Sequence, residues 1–329
     1  MNIYRFEKCI ICLKEPNANE DNTQLTVEHI VPEFIGGKLT LKNVCKACNS
    51  RLGEKIEGPL SKNFLFKAYA YFNGIKGKKD KLTNPLSGTY KHSEGTLRFN
   101  DDFSIHLIPD YQIHEKDDGG FIFSVRADIK DISKIEKEVS KSISRFAKKK
   151  GKTINKKKLD EQLEKICIPS IENTKLIEQP EITVSFSIDY DMIALLAIKI
   201  AYEFIAYYFG SSLFKFELDK FRSSLLNCSL NENIIYSNDD FSIVLKSILA
   251  ENPFLELKEP SKLEEIFSKN KTLIMLVNGG CSVRVANFWF NFQLPVEFEN
   301  VFLIFSSDSK TGEHRVFKMD DFINEIYYN

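Results

Sequence analysis

Two Cys-x-x-Cys pairs, Cys9-Ile10-Ile11-Cys12 and Cys45-Lys46-Ala47-Cys48, limit what the first sixth of this chain can fold into. Four thiolates at such spacing are the donor set of a tetrahedral structural zinc, so both pairs must meet at one point and close the segment between them. Two matched pairs among 7 cysteines in 329 residues argue against buried thiols at chance spacing. A disulfide reading is weaker, because nothing in the sequence indicates secretion. A zinc ribbon normally leaves roughly 15–20 residues between its pairs. Here 32 residues separate Cys12 from Cys45, and they hold Glu28-His29, Pro32, Gly36-Gly37 and Asn43, while Asn49 directly follows Cys48.

On these residues the segment TVEHIVPEFIGGKLTLKNVCKACNSRLGEKIEG, with the upstream CIIC, resembles the HNH (ββα-metal) endonuclease family in its zinc-binding subtype. The resemblance covers about residues 5–60. It implies a strand carrying an acidic residue and a histidine, a glycine turn, a second strand, and a helix opened by the second cysteine pair. It also implies hydrolysis of DNA phosphodiesters to 5′-phosphate and 3′-hydroxyl ends. An ordinary histidine titrates near neutral pH, so His29 can accept the proton of the attacking water. Glu28 and Asn49 match the positions that hold a catalytic divalent cation, Mg²⁺ or a similar oxygen-seeking ion. Asn43 matches the middle Asn, whose side chain holds the loop that orients the histidine. Gly36-Gly37 supplies a turn that accepts positive φ. The family more often has Asp or His where Glu28 stands. Lys46, Arg51 and Lys55, on or near the helix, are expected to meet phosphates.

The formal net charge is −1 and 28% of residues are charged, so a nucleic-acid contact must come from local basic patches. The strongest is Lys148-Lys149-Lys150-Gly151-Lys152 with Lys156-Lys157-Lys158, seven lysines in eleven residues. Lys148, Lys149 and Lys150 are its expected DNA-backbone contacts; the alternative is a solvated hairpin tip. A second basic loop runs from Gly74 to Lys81. The longest apolar run, Met192–Phe209, carries Lys199 and Glu203 and reads as a buried amphipathic helix rather than a membrane span. With no signal peptide and reduced thiolates, the expected location is the cytoplasm.

The fold class expected is α+β, a small N-terminal ββα-metal zinc module at residues 1–60 followed by a larger mixed α+β domain at 61–329, with a further split near 170–180. A module of this size buries little apolar surface, so zinc must contribute much of its stability. Downstream, alternation predicts strands at 96–99, 103–108, 121–125 and 182–188, with a turn at Asp117–Gly120. Three- and four-residue periodicity predicts charged helices over 130–167, then helices at about 191–208, 213–226, 239–250 and 261–268. Strands are expected at 272–277, 282–292, 301–305 and 314–318, with Asn278-Gly279-Gly280 as a hairpin turn. Trp289 reads as core; Cys167, Cys228 and Cys281 read as free thiols.

The downstream domain is expected to select substrate, bind a partner or restrain the nuclease. The family's habits suggest bacterial restriction or anti-phage defence. Other readings stay open: an effector unlocked by a ligand or regulatory protein, a zinc-dependent DNA-binding protein without catalysis, and RNA in place of DNA. A homodimer is compatible with all of them.

Overall fold

A computed structural model describes residues 6–76, 81–93, 95–116, 121–166, 183, 185–240 and 260–328. The expected turn at 117–120, most of the expected helix at 239–250, part of the basic loop at 74–81, Ile182, Val184 and Cys167 lie outside them, and the described residues of the expected 182–188 strand form no strand.

The chain divides into two compact units, one made of residues 1–85 with 187–329 and the other of residues 86–186. The break expected after residue 60 is therefore not where compactness changes. The N-terminal module shares its unit with residues 187–329, because its apolar residues enter the same core.

That module is a two-stranded hairpin, β1 (Leu25–His29) and β2 (Thr40–Cys45), followed by α1 (Lys46–Leu52). The helical path continues through one π turn at Gly53–Glu57 into α2 (Gly58–Lys62), and α3 (Phe64–Phe72) follows. Asn63 separates the last two and caps α3 by accepting from the Leu65 amide at 2.9 Å.

In the second unit, three strands, β3 (Gly88–His92), β4 (Gly95–Phe99) and β5 (Ile105–Ile108), form one sheet. A hairpin of β6 (Asp110–Glu115) and β7 (Phe121–Arg126) forms another. Helices α4 (Ile132–Lys149) and α5 (Lys156–Ile166) match the periodic charged segment, and their contact buries Ile135, Val139, Ile143 and Leu163.

Returning to the first unit, α6 (Tyr190–Phe209) is capped by Asp189, whose carboxylate accepts from the Met192 amide at 3.0 Å. The expected helix at 213–226 begins later, as α7 (Asp219–Asn227), with a 3₁₀ segment over Gly210–Lys215. By length and hydropathy α6 matches a membrane span, but 78% of its apolar window is buried inside the protein. After the short strand β8 (Tyr236–Ser237) and α8 (Pro260–Ile266) come β9 (Lys271–Val277), β10 (Gly280–Val285), β11 (Phe288–Gln293), β12 (Phe302–Asp308) and β13 (His314–Lys318). The chain then turns into α9 (Met319–Ile323). These strands form one antiparallel sheet in the order β13-β12-β9-β10-β11-β8.

The single strand expected at 282–292 is two strands. Ala286 and Asn287 take φ of +47° and +74°, a tight turn that folds β11 back on β10. Asn278-Gly279 does the same between β9 and β10, with φ of +47° and +78°. Paired positive φ is the geometry of a two-residue hairpin with right-handed twist.

Both faces of this sheet are covered, which is why β9 reads as a continuous apolar run. Leu273 and Met275 face one cluster with Trp289, Phe317 and Phe322, as expected for a core Trp289. Ile274 and Leu276 face the other, together with most of α6 and the N-terminal residues Ile10, Ile11, Ile30, Val44 and Leu52.

Candidate active site and zinc centre

The four cysteine sulfurs lie within 4.8 Å of one another. Backbone bonds build the knuckle that brings them there. Leu13 takes φ of +60° so that its amide reaches the Cys9 carbonyl at 3.0 Å, and the Cys9 amide reaches the Lys14 carbonyl at 2.9 Å. The second pair straddles the start of α1, Cys45 ending β2 and Cys48 lying in the first turns. A hydrogen bond from Cys48 pulls the Cys9 thiol down to about 5, while Cys48 itself is driven far up, first by that bond and then by burial and the neighbouring sulfurs. Four sulfurs cannot share this space as thiolates without a cation, so the donor set fits a structural zinc. Cys228 and Cys281 are free thiols.

A bulge shapes the hairpin next to the knuckle. The register shifts between Thr26, which faces Val44, and Val27, which faces Lys42, leaving Asn43 without a cross-strand partner. The freed Asn43 carbonyl accepts from the Ile10 amide at 3.0 Å, which ties β2 to the first cysteine pair. The loop contact expected of the Asn43 side chain is thus made by its backbone. Its amide group is fully buried, and among the described residues no hydrogen bond engages either polar atom.

Alternation along β1 leaves Val27 exposed, sends Glu28 inward and keeps His29 half-buried. No hydrogen bond or ion pair engages the His29 imidazole among the described residues. Asn49 lies in α1, and its amide nitrogen donates to Thr26 Oγ1 at 3.0 Å and to the Val27 carbonyl at 3.4 Å. These bonds fasten the helix to the histidine strand and leave the Asn49 carbonyl oxygen as a donor for a hard cation. Glu28 has a second carboxylate oxygen beyond the Oε1 that pairs with Lys199.

The partner of Glu28 escaped the reading of the sequence. Lys199, in the middle of α6, is 1% exposed and stands 2.7 Å from Glu28 Oε1, 2.9 Å from Glu57 Oε1 and 3.4 Å from Glu203 Oε2. The same ammonium donates to the His29 carbonyl. The contacts to Glu57 and Glu203 are charge pairs without hydrogen-bond alignment. Burial works against the Lys199 charge, but Glu203, Glu57 and Glu28 outweigh it and hold the ammonium above the usual lysine range. Burial pushes the Glu203 carboxyl well above the usual carboxylate range. The signal in the sequence is the Lys199–Glu203 pair, four residues apart in an otherwise apolar helix.

The glycine turn is held from the far end of the chain. Gly36 takes φ of +91°, and a Cβ there would lie 1.9 Å from the Ser309 carbonyl oxygen. Lys38 donates to the Thr311 carbonyl at 2.5 Å, and the Tyr69 hydroxyl meets Ser309 Oγ at 2.7 Å. The loop between β12 and β13 thus seats on the turn that follows His29.

Of the expected phosphate contacts, Lys46 is exposed and paired with Asp21, and Lys55 is exposed and 3.2 Å from Glu54. Arg51 is half-buried and donates to Cys48 Sγ at 3.4 Å, so it serves the sulfur site. Lys148, Lys149 and Lys150 are exposed at the end of α4 in the other unit, with Lys150 3.8 Å from Glu115.

Compared with known proteins, residues 9–65 match the family model described as HNH endonuclease. No curated protein and no solved structure matches the chain significantly. The match spans the cysteine knuckle, the bulged hairpin, Glu28-His29, Asn43, Asn49 and the helical run to α3. Residues 9–65 are thus similar to the HNH endonuclease family, and the clustered cysteines fit its four-cysteine metal-binding subtype.

Proposed function

We propose that the protein is a metal-dependent endonuclease that hydrolyses DNA phosphodiesters. The observation that carries this reading is a hairpin and helix, fastened by Asn49 to β1, that leave the His29 imidazole half-buried and unengaged in the same module as a four-sulfur site. His29 acts as general base and takes the proton of the attacking water at an imidazole nitrogen. Glu28 and Asn49 would hold the divalent cation, which supplies charge neutralisation at the phosphate and the leaving oxygen. Asn49 uses its amide nitrogen to keep α1 on β1 and its carbonyl oxygen as the donor. Lys46 and Lys55 meet the sugar–phosphate backbone, and the exposed lysines of α4 add a sequence-blind contact. Reduced thiolates are consistent with a cytoplasmic setting. A role against foreign DNA is the proposed biological context, supported by the family resemblance alone.

The test is plasmid cleavage by wild type and His29→Ala across Mg²⁺, Mn²⁺ and Ni²⁺, with an RNA substrate in parallel. Wild type should cut DNA, and His29→Ala should lose about 10²–10⁴-fold in rate with zinc content and melting unchanged. Equal rates for the two proteins would remove His29 as the base. Intact plasmid shifted on a gel in every ion would leave a DNA-binding protein without catalysis. Preferential cutting of RNA would replace the substrate.

A further inference from the structure

We propose that Lys199 is a positioning residue for the nuclease reaction, holding the histidine strand and the Asn49 helix in register from the core helix α6. The inference rests on the nuclease reading above. Its ground is convergence. Lys199 Nζ pairs with Glu28 at 2.7 Å and donates to the His29 carbonyl, which are consecutive residues at the end of β1. It also lies 2.9 Å from Glu57, the last residue of the π turn that continues α1. One ammonium therefore holds both halves of the ββα module, the strand that presents the imidazole and the helical run that presents the Asn49 amide.

Three further observations separate this from ordinary core packing. Lys199 is fully buried in a helix whose neighbours Leu195, Leu196, Ala197, Ile198 and Ile200 are also buried, so hydrocarbon would fill its place. Replacing a buried charge group as a whole by apolar side chains is often neutral or stabilising, whereas removing the ammonium alone leaves carboxylates unpaired and is strongly destabilising. The lysine is therefore tied to the module's Glu28 and Glu57 rather than to the packing of α6. The helical run is regular α before Gly53 and after Glu57 and takes a π turn at Gly53–Glu57, the kind of local insertion that re-aims a side chain. Glu203, one turn along α6, lies 3.4 Å from the ammonium as a third carboxylate that favours this rotamer. Lys199 touches neither DNA nor the reacting water; it acts through the residues that do.

The experiment compares wild type with Lys199→Met and with the double variant Lys199→Met/Glu203→Met, which replaces the helix's own pair by hydrocarbon. Zinc content, thermal melting, Mn²⁺ affinity of the DNA-free protein by electron paramagnetic resonance, and kcat and KM on a DNA duplex are measured together. The double variant should keep its zinc and a cooperative melt, at a midpoint lowered by the Glu28 and Glu57 carboxylates left without an ammonium. In both variants kcat should fall about 100-fold with KM within about threefold, as misplacement of a reacting group by an ångström would produce. Mn²⁺ should bind no more tightly than in wild type. Wild-type kcat in the double variant would overturn the proposal. So would tighter Mn²⁺ binding with faster cutting, which would make Lys199 a competitor for the Glu28 carboxylate. Loss of zinc and of the cooperative melt in both variants would make the residue an element of the fold and overturn it equally. A wild type that neither cuts nucleic acid nor binds Mn²⁺ removes the nuclease reading and this proposal together. A wild type that cuts, with variants that cut as fast, removes the proposal alone.

Discussion

The two compact units are held together in different ways. In the larger one a single cluster of buried side chains runs from Phe6 through α6 to Phe305. The knuckle that carries Cys9 and Cys12 is part of it, since the Tyr202 hydroxyl donates to the Ile10 carbonyl at 2.8 Å and Arg222 donates to the Ile11 carbonyl at 3.2 Å. The smaller unit has two small sheets and a helical pair whose buried contacts centre on Ile135, Val139, Ile143 and Leu163. The difference shows that the HNH-like module is not a free-standing finger. Its zinc centre and its site residues are set into a large core, whereas the lysine-rich helices stand on a small core of their own.

The largest expected effect tests how far that shared core reaches. Cys48→Ser leaves three thiolates, and structural zinc in small domains is linked to stability on the order of 10 kcal/mol. Loss of zinc by elemental analysis should be accompanied by faster hydrogen exchange in α6 and β12 as well as in residues 9–65. Exchange confined to the first 60 residues would restore the picture of an independent module. The converse experiment is Ile143→Ala, which should cost about 2–5 kcal/mol within residues 86–186 and leave zinc content and the melting of the larger unit unchanged. A matching loss in the larger unit would show that the two are not energetically separate.

A smaller effect concerns the glycine turn. Gly36→Ala must strain a φ of +91° and push the Ser309 carbonyl away, at a cost of roughly 1–3 kcal/mol in the melt of the larger unit. A neutral substitution would mean that the β12–β13 loop does not hold the turn. The smallest effect on stability should come from reversing the charge of Lys148, Lys149 and Lys150. Melting should not change, but the salt slope of DNA binding should fall by about 3, near 0.9 for each phosphate that is no longer neutralised. An unaltered slope would make these lysines plain solvated surface.

Much of the candidate site was legible because it is encoded at short range. Cysteine pairs two residues apart, Asn49 directly after Cys48, the Gly36-Gly37 turn and the Asn278-Gly279 hairpin all depend on neighbours along the chain, so spacing and residue type suffice. Alternation and helical periodicity likewise found α4, α5, α6 and most strands of the large sheet. They failed at Ala286-Asn287, because the turn former Asn287 is followed by no glycine and stands between two apolar flanks that read as one strand.

What the sequence determined alone, then, was a four-thiolate hairpin and helix carrying one histidine, because those geometries follow from local backbone preference and donor spacing. Tertiary structure decided the rest: that residues 86–186 form a compact unit apart from the sequence on either side, that Ser309 closes on Gly36, and that Lys199 meets Glu28 and Glu57. Periodicity cannot tell a charge that faces water from one that faces Glu28 and Glu57, far away along the chain, since that depends on which surfaces pack together once the chain is folded.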